Sequence, residues 1–153
     1  MDKIRNAADI GPRHPVALIE PGVTQQQLHQ HLAQHAAGLR FNVTGSAGST
    51  SILGNALDRG VGYSGPRVDD LFGLEVVLGT GDVIHTGFRR LGEDSPLAHC
   101  HRHGLGPLPD GLFFQGNFGI VTSACFQLQR RRPVELALSL GLRDGTWPRF
   151  STA

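Results

Sequence analysis

The sequence predicts an α+β fold, mainly an antiparallel sheet with one or two flanking helices. Three observations carry it. In GIVTSACFQLQ, residues 119–129, Ile120, Ala124, Phe126 and Leu128 alternate with mostly polar neighbours, and in VELALSLGL, residues 134–142, the alternation is complete. Each such strand offers one apolar face, which suits a sheet covered on one side by helices. The 21 glycines among 153 residues are too many for a helical bundle and lack a collagen period, so loops and turns carry much of the chain.

Taken in order, VALIE at 16–20 reads as a short buried strand ended by Pro21-Gly22. A helix follows at once. Thr24 is its N-cap and Gln27 the capping-box partner, while Val23 and Leu28 form a hydrophobic staple. Leu28, Leu32, Ala36 and Leu39 share one face, and Gly38 supplies a left-handed stop. GLEVVLGTGDVIHTG at 73–87 predicts a hairpin, with strands Leu74–Leu78 and Asp82–Thr86 about a Gly79-Thr80-Gly81 turn. Residues 88–110, punctuated by Pro96, Pro107 and Pro109, read as irregular. The final RDGTWPRFSTA has no periodicity and is expected to fray.

A chain of 153 residues suits one domain, without repeat or linker. A net charge of +1 gives no field that would draw nucleic acid or a membrane, and the basic run Arg130-Arg131-Arg132 reads as a solvated strand end. Cys100 and Cys125 are too few for a disulfide framework, and no apolar leader or transmembrane run is present, so the expected setting is cytoplasmic.

Between residues 44 and 65 stand six glycines, Gly45, Gly48, Gly54, Gly60, Gly62 and Gly65, among Thr44, Ser46, Ser49, Thr50 and Ser51. Backbone without Cβ can turn its N–H groups toward one point and accept a phosphate closely, although a purely structural turn explains the composition equally. Neither the P-loop pattern nor a G-x-G-x-x-G between strand and helix is present, so those two nucleotide folds are excluded. His31 and His35 lie four apart on the helix without the Glu of an H-E-x-x-H site, and read as a solvated flank. His99, Cys100, His101 and His103 are too close in sequence to reach one tetrahedral ion unaided, so no metal is expected.

Four segments, IEPGVTQQQLHQHLAQH, SILGNALDRGVGY, GLEVVLGTGDVIHTG and GPLPDGLFFQGNFGIVTSACFQL, resemble in order and spacing those of the vanillyl-alcohol oxidase and p-cresol methylhydroxylase flavoproteins, from about Val16 to Leu128. The resemblance implies the second FAD-binding subdomain of that fold, as a partial domain over residues 16–142, with an N-terminal extension at 1–15 and a disordered tail at 143–153. It implies that Ser51, Gly54, Asn55, Asp58, Gly60, Gly62 and Tyr63 lie along the dinucleotide. It implies that Gly119, Ile120 and Val121 run beside the adenine, with the backbone of Ile120 in contact. A local Asp58–Arg59 salt bridge is the plainer reading of those two side chains.

The departures from the family are as informative. Fifteen residues precede Val16 and contain no first pyrophosphate loop, so half of the cradle is expected to be missing. The substrate domain, with its residues for covalent flavin attachment, is not among the 153 residues. Where some alcohol-oxidising members hold an aspartate near flavin N5, this sequence has Ser46, which cannot serve as that base. The expectation is non-covalent FAD, weakly held by the isolated chain, in the cofactor portion of a truncated or split oxidoreductase that moves hydride from a small organic substrate. Its catalytic residues are unknown from sequence. A non-redox scaffold, completed by a second chain or by itself as a homodimer, is the alternative. Flavin-free acid–base chemistry by Asp69, Asp70 and His99–His103 ranks third.

Overall fold

The computed structural model describes residues 4–6, 15–92, 95, 97–134, 136, 138–139 and 141. Its centre is a five-stranded antiparallel sheet built from β1 (Ile4–Asn6), β2 (Val16–Ile19), β6 (Leu71–Leu78), β7 (Val83–His85) and β8 (Gly119–Gln127), ordered β1-β2-β8-β6-β7. The other strands are two-residue pieces. β3 (Leu39–Arg40) pairs with β9 (Gln129–Arg130), and β4 (Val61–Gly62) pairs with β5 (Gly65–Pro66). The antiparallel α+β architecture predicted from the sequence is therefore the observed one.

One face of the sheet presents Ala17, Ile19, Val76, Ala124 and Phe126 to α1 (Gln25–His35) and α2 (Ile52–Leu57), whose Leu28, Leu32, Ile52, Leu53 and Ala56 complete the main core. The other face carries a smaller cluster of Val16, Leu18, Phe72 and Cys125. Burial of a Leu, Ile or Phe side chain is worth about 1.5–3 kcal/mol, so this single layer of side chains holds both helices to the sheet.

The capping box of α1 forms as predicted: the Gln27 amide donates to Thr24 Oγ1 and the Thr24 amide to Gln27 Oε1. Val23 and Leu28 are both fully buried, as a staple requires. The stop differs from the prediction. Ala36 is the C-cap, at φ −151°, with its N–H bonded to Leu32 O, and Gly38 is not in the left-handed region. A turn at 37–38, closed by the Leu39 amide on Ala36 O at 2.8 Å, leads into β3 and ties Leu39 into a strand instead of the helix face.

Two β-bulges explain where burial departs from simple alternation. Phe72 pairs with Cys125 and Glu75 with Ser123, so β6 carries one extra residue there; Val76 pairs with Val121, so β8 carries one extra in return. Gly73, at φ +56°, is the residue that permits the first bulge. The second shifts the parity of β8. Val121 joins Ala124 and Phe126 in the core, and Ile120, expected inward from its spacing, is 72% exposed.

The hairpin about Gly79-Thr80-Gly81 is present, with β6 beginning at Leu71 rather than Leu74. The predicted strand at 134–142 is not seen among its described residues. Val134, Leu136 and Leu138 are exposed coil, because a strand exists only against a neighbour and no described strand pairs with them. The predicted frayed tail at 143–153 lies outside the described residues. No helix among the described residues is long and apolar enough to cross a membrane.

Candidate functional site

The loop from Thr44 to Thr50 connects β3 to α2 and lies over the first turn of α1. Helix N-termini leave N–H groups without partners, and here the loop supplies the acceptors. The Gln25 amide donates to Thr50 O at 3.0 Å and the Gln26 amide to Gly48 O at 2.9 Å. The N-terminus of α1 is thus consumed within the protein. Ala47 O accepts from the Thr50 amide and from Gln25 Nε2, at 3.0 and 3.3 Å, and Ser46 O lies 3.5 Å from the same Nε2.

Peptide planarity turns these contacts into a surface property. In a trans peptide the C=O and the following N–H point in opposite directions. With the Ser46, Ala47 and Gly48 carbonyls held inward, the amides of Ala47, Gly48 and Ser49 are turned outward, and none of the three has a hydrogen-bond acceptor among the described residues. All three residues are exposed. Successive N–H groups left open in this way suit an anion.

The segment from Ser51 to Tyr63, predicted as glycine-rich loop, opens instead with the helix α2. Ser51 is its N-cap: the hydroxyl accepts from the Gly54 amide at 3.1 Å and donates to Pro21 O. Asn55, inside α2, uses Oδ1 to accept from Arg67 Nη1 at 3.2 Å, and its carbonyl accepts from the Gly60 amide at 2.8 Å. Asp58 caps the helix C-terminus and is exposed, its carbonyl accepting from Gln115 Nε2 at 3.3 Å. No ion pair joins Asp58 to Arg59 among the described residues, so the local salt bridge is not formed.

Two glycines here leave no room for a side chain. A Cβ on Gly60 would lie 2.3 Å from Asn55 Oδ1, and one on Gly62 would lie 2.2 Å from Asn42 Oδ1. Asn42 organises the β4–β5 turn: its Oδ1 accepts from the Ser64 amide at 2.9 Å, and its Nδ2 donates to Gly65 O and to Asp70 Oδ2, at 3.2 and 2.9 Å. Burial pushes the Asp70 carboxyl up from its ordinary range, against the opposing pull of that Asn42 bond and of Arg67. Tyr63, anchored by its amide to Val43 O at 3.0 Å, leaves its ring 84% exposed. Between this turn and the first turns of α1 run two clefts that share Phe41 and Val43, one of about 330 Å³ reaching Gln25, Gln26 and Gly48, the other of about 400 Å³ reaching Asn42, Tyr63 and Ser64.

Gly119, Ile120 and Val121 open β8. A Cβ on Gly119 would meet Val76 Cγ1 at 2.6 Å and Val77 O at 2.9 Å, so only glycine fits. Gln115 links this region to the motif of α2, since its amide donates to Leu57 O at 3.0 Å while its side chain reaches Asp58. The structure therefore brings the 54–58 and 115–119 segments together at one end of the sheet. Gln25, Asn42, Arg67 and Gln115, which hold these segments, were not singled out from sequence; their side-chain partners lie between 12 and 57 residues away.

Among the described residues no group of three His, Cys, Asp or Glu side chains is placed to hold a metal ion. Asp69 pairs with Arg102 at 3.1 Å, His99 Nδ1 lies 3.2 Å from buried Cys125 Sγ, and the His101 ring meets Phe88. His35 Nδ1 is 3.0 Å from His31 O and the two rings stack. On the second face of the sheet Glu75 accepts from Thr122 Oγ1 at 2.6 Å and lies 3.1 Å from His85 and 3.5 Å from Arg89; the Thr122 bond, above all, holds its carboxyl below the usual range. The Glu75 contacts tie β6, β7 and β8 together, and among the described residues none of these pairs lines the two clefts above.

With this geometry in view, residues 1–87 match the family model described as FAD binding domain. Over 128 residues the chain is 43% identical to 1'-carboxy-chondrochloren decarboxylase of Chondromyces crocatus, covering 82% of this chain and 24% of that protein. It is 34% identical to the 4-cresol dehydrogenase [hydroxylating] flavoprotein subunit of Pseudomonas putida, covering 88% of this chain and 26% of that one. A solved structure of p-cresol methylhydroxylase with substrate bound superposes at a TM-score of 0.78 with 35% identity, over 88% of this chain and 26% of that one. The chain thus spans about a quarter of the length of these relatives. It belongs to the FAD-binding domain family, as a partial domain of the p-cresol methylhydroxylase type, with FAD as the cofactor.

Proposed function

We propose that this chain holds FAD non-covalently as the cofactor-binding part of a flavin-dependent oxidoreductase acting on a small organic substrate. The observation that carries the reading is the outward run of Ala47, Gly48 and Ser49 amides, whose carbonyls are tied down behind them. A pyrophosphate brings only acceptors, so it satisfies N–H groups that the protein leaves open. Along the same surface we assign Ser51, Gly54, Asn55, Asp58, Gly60, Gly62 and Tyr63 to the dinucleotide. Ser51 and Asn55 act by shaping the backbone, since their side-chain oxygens are engaged within the protein. Gly119, Ile120 and Val121 supply strand backbone at the adenine, with the Ile120 side chain pointing to solvent.

Bound FAD supplies a hydride acceptor; the residues described here hold and orient it. The relatives are named both as a dehydrogenase subunit and as a decarboxylase, so likeness over this quarter does not by itself fix one reaction. The exposed side chains of Val61, Tyr63, Phe118 and Ile120 form apolar surface that the cofactor and a second polypeptide unit would cover. That unit is a further chain or a second copy of this one. Cys100 and Cys125, which are not joined in a disulfide, suit a reducing compartment.

Titration of the purified chain with FAD, followed by flavin fluorescence and then by visible absorbance after gel filtration, tests the reading. Saturable binding that is partly lost on the column is expected. Gly48→Asp, which sets a carboxylate among the open amides with van der Waals room for its Cβ, should weaken binding about tenfold, equivalent to one repulsive contact of about 1.4 kcal/mol. A folded wild-type chain showing no saturable change would overturn it.

A further inference from the structure

We infer that Arg67 and Gln25 form an internal brace that sets the outward amides of the 44–50 loop, making both of them positioning residues for the cofactor. The inference rests on the FAD reading only for its consequence in binding, because the brace itself lies within the chain.

Arg67 has no exposed surface, yet its Nε and Nη2 have no hydrogen-bond partner among the described residues. Its Nη1 donates to Asn55 Oδ1 at 3.2 Å and faces Gln25 Oε1 at 3.5 Å, and the guanidinium lies 5.4 Å from the Phe126 ring centre. Burying a cation with open donors is costly, and an apolar side chain of similar length would fill the same space. What the guanidinium adds is orientation. Being a donor only, it requires both amide side chains to turn their oxygens toward it.

For Gln25 that requirement decides the loop. With Oε1 facing Arg67 and the Thr44 amide at 3.1 Å, Nε2 must face the Ser46 and Ala47 carbonyls, which it does at 3.5 and 3.3 Å. Those two carbonyls are the ones whose inward position turns the Ala47 and Gly48 amides outward. Arg67 also grips the second binding segment, through Asn55 and through its own amide on Gly60 O at 2.9 Å. A single buried side chain thus ties both candidate cofactor-facing segments to one another.

Two variants test it: Arg67→Met, and Gln25→Glu, which keeps acceptors for Arg67 and Thr44 but cannot donate to the loop carbonyls. Hydrogen exchange of the flavin-free chain, read by mass spectrometry, compares residues 42–52 with the β8 strand. Faster exchange in the loop alone, by about three- to tenfold, with FAD affinity falling by a similar factor, is expected for each. If Arg67→Met does not fold, Gln25→Glu decides alone. A structural ion pair with Arg67 would predict a quieter loop in Gln25→Glu; unchanged or slower loop exchange, or acceleration spread equally over β8, overturns the brace. A loop that loosens in the variants of a wild-type chain that binds no FAD would leave the brace standing and remove the cofactor reading instead.

Discussion

Replacing Gly62 by alanine perturbs one atom at a crowded point. The new Cβ would sit 2.2 Å from Asn42 Oδ1 and 2.6 Å from its Cγ, and Asn42 is 3% exposed, so the amide has no solvent to retreat into. Backbone strain plays no part, since Gly62 lies outside the left-handed region. To make room Asn42 must give up its bonds with the Ser64 amide, Gly65 O and Asp70. At about 1 kcal/mol net for each of three hydrogen bonds, the cost is about 2–4 kcal/mol, or a Tm lower by about 5–15 °C for a chain of this size. Urea unfolding followed by far-ultraviolet circular dichroism measures it. The mechanism is checked by a double-mutant cycle: in an Asn42→Ala background the clash is gone, and Gly62→Ala should cost under about 0.5 kcal/mol. A loss below about 0.5 kcal/mol in the wild-type background, or an equal loss in both, would refute the reasoning.

Gly119→Ala forces its Cβ against Val77 O, a backbone atom that cannot rotate away, and should cost about 1–3 kcal/mol in the same unfolding assay with faster exchange at the β6–β8 ladder. Ser51→Ala removes the cap of α2 and the bond to Pro21 O, for an expected loss of about 1–2 kcal/mol in chemical denaturation. Glu75 has its carboxyl held below the ordinary range first by Thr122, then by His85 and Arg89, so it binds fewer protons in the folded chain than in the unfolded one. Its stabilisation is complete above the ordinary glutamate range and is lost as pH falls through the depressed value. Glu75→Gln should therefore narrow the stability gap to wild type on acidification, and denaturation curves with a constant gap from neutral pH to about pH 3 would contradict the assignment.

Two local signals were legible in the sequence. Thr24 and Gln27 stand three residues apart and cap α1 by themselves, and Gly79-Thr80-Gly81 closes β6 on β7 by turn chemistry alone. The family resemblance likewise lay in contiguous motifs, and the FAD-binding family it named is the one the chain belongs to. Tertiary structure decided the rest. Ile120 faces solvent because compensating bulges at Gly73 and near Thr122 shift the parity of β8, and no count along one strand reveals the pairing of another. Val134, Leu136 and Leu138 alternate as a strand should but have no described partner to pair with. The roles of Gln25, Asn42 and Arg67 exist only through partners brought from as far as 42 residues away, since a polar side chain in a core takes its meaning from whatever donors and acceptors the fold carries to it.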